Sequence, residues 1–360
     1  MAVKRETNGG QGENRTHHTR IFSPLLYLLS YLATERCNYY KKSRPLVNFC
    51  PTLDRSGSFS KMNLMVVEKL AGGISLVQGE NLGRYPYSHS LLIEDELTVL
   101  IDPASDFQFL SQLAVENRVD VILLSHYHED HFWYSYLFPQ AEIWMPEIDK
   151  PALDSLDALL DAYRLSGPWR EDWRKLLLEK FHYQPREKSR LLHDRDEISL
   201  GRTRMQVLHT PGHTGGSSSF LFPDQGVVFI ADIDLTRFGP WYGDLSSDID
   251  DFLRSIQKVK ALACDYFVVS HEQPLYRGDI RKEADAYSAV VEAREEKLRS
   301  LLSEPRSMED IINARIIYRK PREPKSFFDF GEWALLSKHL ERMMRKGEVI
   351  EQSGKYRLAR

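Results

Sequence analysis

Residues 125–131 read Ser-His-Tyr-His-Glu-Asp-His, which places His126, His128, Asp130 and His131 within one short stretch. Histidine is otherwise sparse, 12 in 360 residues, so the clustering is not a by-product of composition. The segment before it, Val119-Asp-Val-Ile-Leu-Leu, is a short apolar run rich in branched side chains, the pattern of a buried strand. Residues two apart on an extended chain point the same way, so His126 and His128 can reach one ion together. Asp130 and His131 follow where the chain must turn and can face a second ion. Without metal, several imidazoles and a carboxylate would have to be satisfied at the end of a buried strand, and each polar atom left unpaired there is costly. The heptapeptide therefore points to a metalloenzyme.

Four further stretches carry ligand-type residues. Leu97-Thr-Val-Leu-Ile ends in Asp102, and His209-Thr-Pro-Gly leads to His213 and Thr-Gly-Gly. Val227-Val-Phe-Ile-Ala ends in Asp232, and Tyr266-Phe-Val-Val-Ser ends in His271. These five motifs, in this order over roughly residues 65–275, resemble the metallo-β-lactamase superfamily. The resemblance implies an α/β (α+β) fold, the αββα metallo-β-lactamase sandwich. It assigns His126, His128 and His213 to a first metal and Asp130, His131 and His271 to a second, with Asp232 bridging. Asp130 and Asp232 are then the carboxylates on which catalysis depends. Asp102 would stand outside the metal ligands and fix the metal loop; apart from the resemblance it is a strand-end turn residue.

Imidazole and carboxylate suit Zn²⁺ first, with Fe or Mn as alternatives, and no cysteine lies close to these motifs. Two divalent metal ions are expected. A water shared by two cations loses its proton near neutral pH, so a metal-bridging hydroxide would attack a thioester, ester or lactone while the cations polarise the electrophile. Asp232 together with Asp130-His131 resembles the glyoxalase II branch. Only 38 residues separate Asp232 from His271, too few for the domain that mRNA-processing nucleases of this family insert there. His128 stands where flavodiiron relatives have glutamate. The alternatives are a metal-dependent phosphodiesterase or endoribonuclease, which uses the same metal pair, and a mononuclear iron persulfide dioxygenase, which uses a subset of the ligands.

Other polar residues carry weaker signals. His209 reads as a loop group rather than a ligand. Asp234 could compete with Asp232 for the bridging position, but Asp232 directly follows the apolar run. His89, at a strand start, reads as a surface residue. Arg237-Phe-Gly-Pro-Trp-Tyr-Gly-Asp244 mixes aromatics with Gly and Pro and suggests a cleft wall, with packing roles for Trp241 and Tyr242 equally open.

A net charge of −4 provides no overall polyanion-binding signature, and three scattered cysteines suit a reducing compartment, so a cytoplasmic protein is expected. Residues 1–61 read as a disordered or non-native extension, with Met62 or Met65 as the true start. Ile21–Ala33 is apolar but too short to span a bilayer. Residues 62–280 form the expected catalytic domain. Within them, Asp154–Phe181 reads as a helical insertion, either a lid or surface helices. Residues 281–360 read as a helical, winged-helix-like domain: a charged helix at Glu283–Leu302, a helix capped by Ser307, a helix at Gly331–Arg345 stopped by Gly347, and a hairpin around Ser353-Gly354. The expected partner is a small-molecule acyl substrate, with RNA as the alternative, no stable membrane association, and a homodimer left open.

Overall fold

Short β-branched runs separated by turn residues pair into two sheets in the computed structural model, which describes residues 66–186 and 188–359. The expectations for residues 1–61 and for a start at Met62 or Met65 lie outside the described residues. The first sheet contains β1 (Val67–Ala71), β2 (Ile74–Val77), β3 (Ser90–Glu94), β4 (Thr98–Ile101), β5 (Val121–Leu123), β6 (Glu142–Pro146) and β7 (Arg190–Leu192), paired in chain order. Pairing is antiparallel through β4 and parallel from β4 to β7. The second sheet contains β8 (Glu197–Ser199), β9 (Arg204–His209), β10 (Ser218–Phe222), β11 (Val227–Phe229), β12 (Tyr266–Val268) and β13 (Leu275–Arg277), again in chain order. Only β11 and β12 pair in parallel there.

Side-chain alternation explains how the layers stack. Ile93, Val99, Ile101, Val121 and Leu123 of the first sheet share one core with Val207, Phe220, Val227, Phe229 and Val268 of the second. Their neighbours Val228, Phe267 and Val269 point the other way, into a second core with Phe252, Ile256 and Val259. Leu92, Leu100 and Ile122, on the far face of the first sheet, are also buried. Both sheets are thus covered on both faces, as parallel pairing requires.

The helices follow the apolar periodicity. They are α1 (Phe107–Val115), the short α2 (Glu129–Phe132), α3 (Lys150–Asp154), α4 (Leu156–Ala162) and α5 (Gly167–Glu179), then α6 (Ile249–Lys260), α7 (Arg281–Leu301), α8 (Met308–Asn313) and α9 (Lys325–Arg345). The stretch Asp154–Phe181 forms two helices, α4 and α5, directly after α3. Beyond α7 the chain forms β14 (Arg306–Ser307), α8, α9 and the hairpin β15 (Val349–Gln352) and β16 (Lys355–Leu358). β16 lies between β14 and β15. Ser307 accepts from Asp310 N and the Asp310 carboxylate accepts in return from Ser307 N, a reciprocal cap. Gly347 follows α9 with φ 73°, which glycine adopts without strain. No helix among the described residues is long and apolar enough to cross a membrane.

Candidate metal centre

All five ligand-bearing stretches follow strands that run toward one edge of the sandwich. β4 and β5 are parallel, as are β11 and β12, and β9 is related to β11 by two antiparallel steps. Asp102, the heptapeptide, His213, Asp232 and His271 therefore emerge from strand C-terminal ends, where open α/β sheets place their sites. Left-handed backbone at Asp102 (φ 50°) and Ala231 (φ 46°) turns the chain sharply at two of these exits.

The expected ligands converge in two groups. His126, His128, His213 and Asp232 form one, and Asp130, His131 and His271 the other; within each group the facing ligand atoms lie within 4.8 Å of one another. His213 Nε2 stands 3.1 Å from His126 Nε2 and 2.9 Å from His128 Nδ1. Asp232 faces both groups, with Oδ2 3.2 Å from His213 Nε2 and 3.5 Å from His271 Nε2, and Oδ1 3.1 Å from His131 Nε2. Asp130 completes the second group, 3.8 Å from His131 Nε2 and 3.7 Å from His271 Nε2. Asp234 shares a group with Asp232 and His271, but its Oδ1 accepts from His271 N at 3.1 Å, and it has no place among His126, His128 and His213.

Whether this donor set fits a metal is decided by the ring nitrogens that face away from it. His126 Nδ1 meets Ser125 Oγ at 2.9 Å, and that hydroxyl donates onward to Asp102 Oδ2 at 2.6 Å. His128 Nε2 meets Asp244 Oδ2 at 2.6 Å, and His131 Nδ1 meets Asp102 Oδ2 at 2.8 Å. His213 Nδ1 meets the Trp241 carbonyl at 3.0 Å, and His271 Nδ1 the Gly83 carbonyl at 2.5 Å. In its neutral form each imidazole therefore donates outward and turns its bare nitrogen to the centre. His131 Nε2 and Asp232 Oδ1 are buried, stand 3.1 Å apart and have no well-formed hydrogen bond. Five converging lone pairs with carboxylates beside them are the donor set a cation relieves, and the residues fit one or two divalent metals.

The charges of the side chains are balanced within the cluster. Burial, then His131, holds His126 well below the usual histidine range, and burial drives His213 down to about 4. Burial also opposes protonation of His128 and His271, yet Asp244 raises His128 to about 9, and Asp232 with Asp234 raises His271 to about 10. Asp232 is held well below the carboxylate range, His131 and His213 outweighing the opposite effect of burial. Among the side chains alone, positive charge on His128 and His271 offsets the carboxylates, a charge that a bound cation would replace.

Asp102 is fully buried and accepts from Ser125 N, Ser125 Oγ and His131, so it ties the metal loop to β4. His209 stands apart from both ligand groups, its Nε2 donating to the Gly215 carbonyl at 2.8 Å. His89 differs from its surface expectation: it is 1% exposed, accepts from Gly79 N at 2.8 Å, and lies 3.3 Å from the Glu272 carbonyl. Strand-start position alone does not reveal that the 79–83 turn folds over it. The Arg237–Asp244 stretch divides. Trp241 lines the cavity beside the ligands, whereas Tyr242 is fully buried, with its hydroxyl 2.8 Å from His339 Nε2. Asp244 was not singled out from sequence. An aspartate closing an aromatic loop has no distinguishing local signal, and it earns its role by reaching His128 and Tyr127. Glu129 was likewise unassigned: it is buried and accepts from Tyr85 Oη at 2.8 Å and from Tyr163 Oη.

The centre opens into a cavity of about 310 Å³. Tyr163, Leu165 and Trp173 of the α4–α5 insertion and Tyr318, Phe327 and Phe330 of the C-terminal segment line it.

Comparison with known proteins agrees with this architecture. The profile of the metallo-beta-lactamase superfamily matches residues 84–271. A probable polyketide biosynthesis zinc-dependent hydrolase of Bacillus subtilis is 37% identical over 70 residues, 19% of this chain and 30% of its own length. A hydroxyacylglutathione hydrolase of Aeromonas hydrophila is 26% identical over 191 residues, 51% of this chain and 61% of its own. The matches thus span less than two thirds of either relative. Among solved structures, a metallo-beta-lactamase family protein of Thermus thermophilus superposes with TM-score 0.60 at 23% identity, covering 80% of this chain and 99% of that one. A beta-lactamase domain protein of Burkholderia ambifaria gives 0.62 at 19% identity, covering 81% and 94%.

Proposed function

Since the chain belongs to the metallo-β-lactamase superfamily, we propose that it is a metal-dependent hydrolase that opens a thioester, ester or lactone with two divalent ions, zinc first. The observation that carries this reading is the outward donation of all five histidines, which leaves their bare nitrogens facing Asp130 and Asp232. His126, His128 and His213 would hold one metal, Asp130, His131 and His271 the other, and Asp232 would contact both. The metals supply Lewis acidity and a water that ionises near neutral pH. The chain's own part is to position. Asp102, Ser125 and Asp244 hold the imidazoles in one tautomer and orientation, so no reorganisation is needed during reaction. Tyr85 and Tyr163 hold the Glu129 carboxylate beside the cavity, and the aromatic wall excludes bulk water from the reacting bond. The hydrolases named among the relatives support the reaction class.

We also propose that the segment beyond α7 is a winged-helix-type module whose role is to complete the cavity wall. Its helix–helix–hairpin order and the contribution of Tyr318, Phe327 and Phe330 support this. The test is metal content together with a screen of ester, thioester and lactone substrates against labelled single-stranded RNA. About two metals per chain and acyl-ester turnover are expected, with Asp232→Ala folded but inactive. RNA cleavage without ester turnover, or near-normal rates in Asp232→Ala, would overturn the proposal.

A further inference from the structure

The cavity has two unlike ends, and their contrast specifies what enters. One end is the metal centre with its carboxylates. The rest of its lining is largely aromatic, built by Trp173 of α5, Phe327 and Phe330 of α9, and Tyr318. Among the described residues that line it there is no lysine or arginine. Two guanidinium groups pack against rings of the lining. Arg294 lies 5.1 Å from the Phe238 ring centre and is held by the Pro240 and Phe238 carbonyls at 2.7 Å each, while Arg322 lies 5.9 Å from the Tyr318 ring centre.

We propose that the substrate presents an uncharged, ring-sized apolar group to this wall. The inference rests on the hydrolase reading and adds the substrate class. An anion placed there would lose its hydration with only neutral donors and no cation to replace it, and would face the negative faces of the rings. A cation would suit the rings but would enter beside the metal ions. An apolar cavity of about 150 Å³ accommodates benzene, so 310 Å³ holds one ring with its linker and the scissile bond. The wall residues are also held by their neighbours. Phe327 stacks on Trp173, with ring centres 6.1 Å apart and planes within 12°. Tyr318 is positioned because Glu332, fully buried, accepts from Tyr318 N at 2.8 Å and from Ile317 N at 3.1 Å.

The experiment uses the metal-loaded full chain and three matched N-acetylcysteamine thioesters: phenylacetyl, 4-sulfophenylacetyl and 4-trimethylammoniophenylacetyl. Thiol release should show kcat/KM at least about tenfold higher for the neutral ester than for either charged one. Phe327→Lys should narrow or reverse the neutral-to-sulfonate ratio, whereas Phe327→Leu, which preserves neutrality, should retain it. The corresponding non-hydrolysable amides are titrated calorimetrically, so discrimination is read without turnover. Equal use of the three esters, or preference for a charged one, would overturn the inference while leaving the hydrolase reading intact. If no ester turns over, the hydrolase reading fails, and the amide affinities still decide: tighter binding of the neutral amide supports the apolar wall, and equal or weaker binding overturns it.

Discussion

At the scale of single residues, the centre depends on atoms that do not face the metal positions. Asp244 touches His128 at 2.6 Å and Tyr127 at 2.8 Å, and its removal frees the imidazole to rotate and change tautomer. Asp244→Ala should weaken metal affinity or activity about 10–100-fold, read by competition with a chromophoric chelator; unchanged affinity and turnover would show that Asp244 merely fills space. His89 provides a pH signature. Burial, reinforced by His271, pushes it down from 6.5 to about 4. Below pH 6.5 the unfolded chain takes up a proton that the folded protein refuses, so stability falls as pH drops from 6.5 toward 4, by up to roughly 3 kcal/mol from this group. Denaturant midpoints of His89→Gln should therefore decline less over that window than those of the native sequence. A parallel decline would remove the attribution.

At the scale of elements, strand direction is what gathers the ligands. Most of the relevant strands were legible because they are short, β-branched and bounded by turn residues: β4, β5, β11 and β12 lie within the apolar runs that precede Asp102, the heptapeptide, Asp232 and His271. Strands β7 and β13 carry arginine and lack a clean pattern, so only pairing with β6 and β12 reveals them. The loop from β9 to His213 turns at Gly212, whose φ is 128° and where a Cβ would come within 2.3 Å of the Phe252 backbone in α6. Gly212→Ala should cost about 1–3 kcal/mol or more and should lower metal stoichiometry together with the melting temperature, because the same shift moves His213. A variant with both quantities unaltered would contradict the close packing of loop on helix.

At the scale of the whole molecule, the C-terminal segment shares a core with the sandwich. Val228 and Phe267 of the second sheet belong to one apolar cluster with Tyr287 of α7, Leu336 and Leu340 of α9, and Val349 of β15. A buried ionic network pins the same helices. Glu295 of α7 accepts from Arg342 Nη1 at 2.6 Å and lies 3.3 Å from His339 Nδ1, and Arg342 Nε also donates to Asp250 of α6 at 2.8 Å. Glu295→Ala leaves Arg342 without its buried partner and should cost about 3–5 kcal/mol, read from chemical unfolding. A loss below about 1 kcal/mol would mean that solvent already screens the pair.

The candidate ligands were legible in the chain itself, because scarce histidines, and aspartates placed directly after apolar runs, have little structural use without a cation. Their spacing within strands and turns is local, and local patterns survive in sequence. What tertiary structure decided was everything formed between distant segments. Asp244 became a partner of His128 from 116 positions away, and His89 was buried by a turn closing over it. The aromatic wall arose where the α4–α5 insertion and α9 meet. None of these has a periodic signature, since each depends on which surfaces pack together, and packing selects shape and burial rather than spacing along the chain.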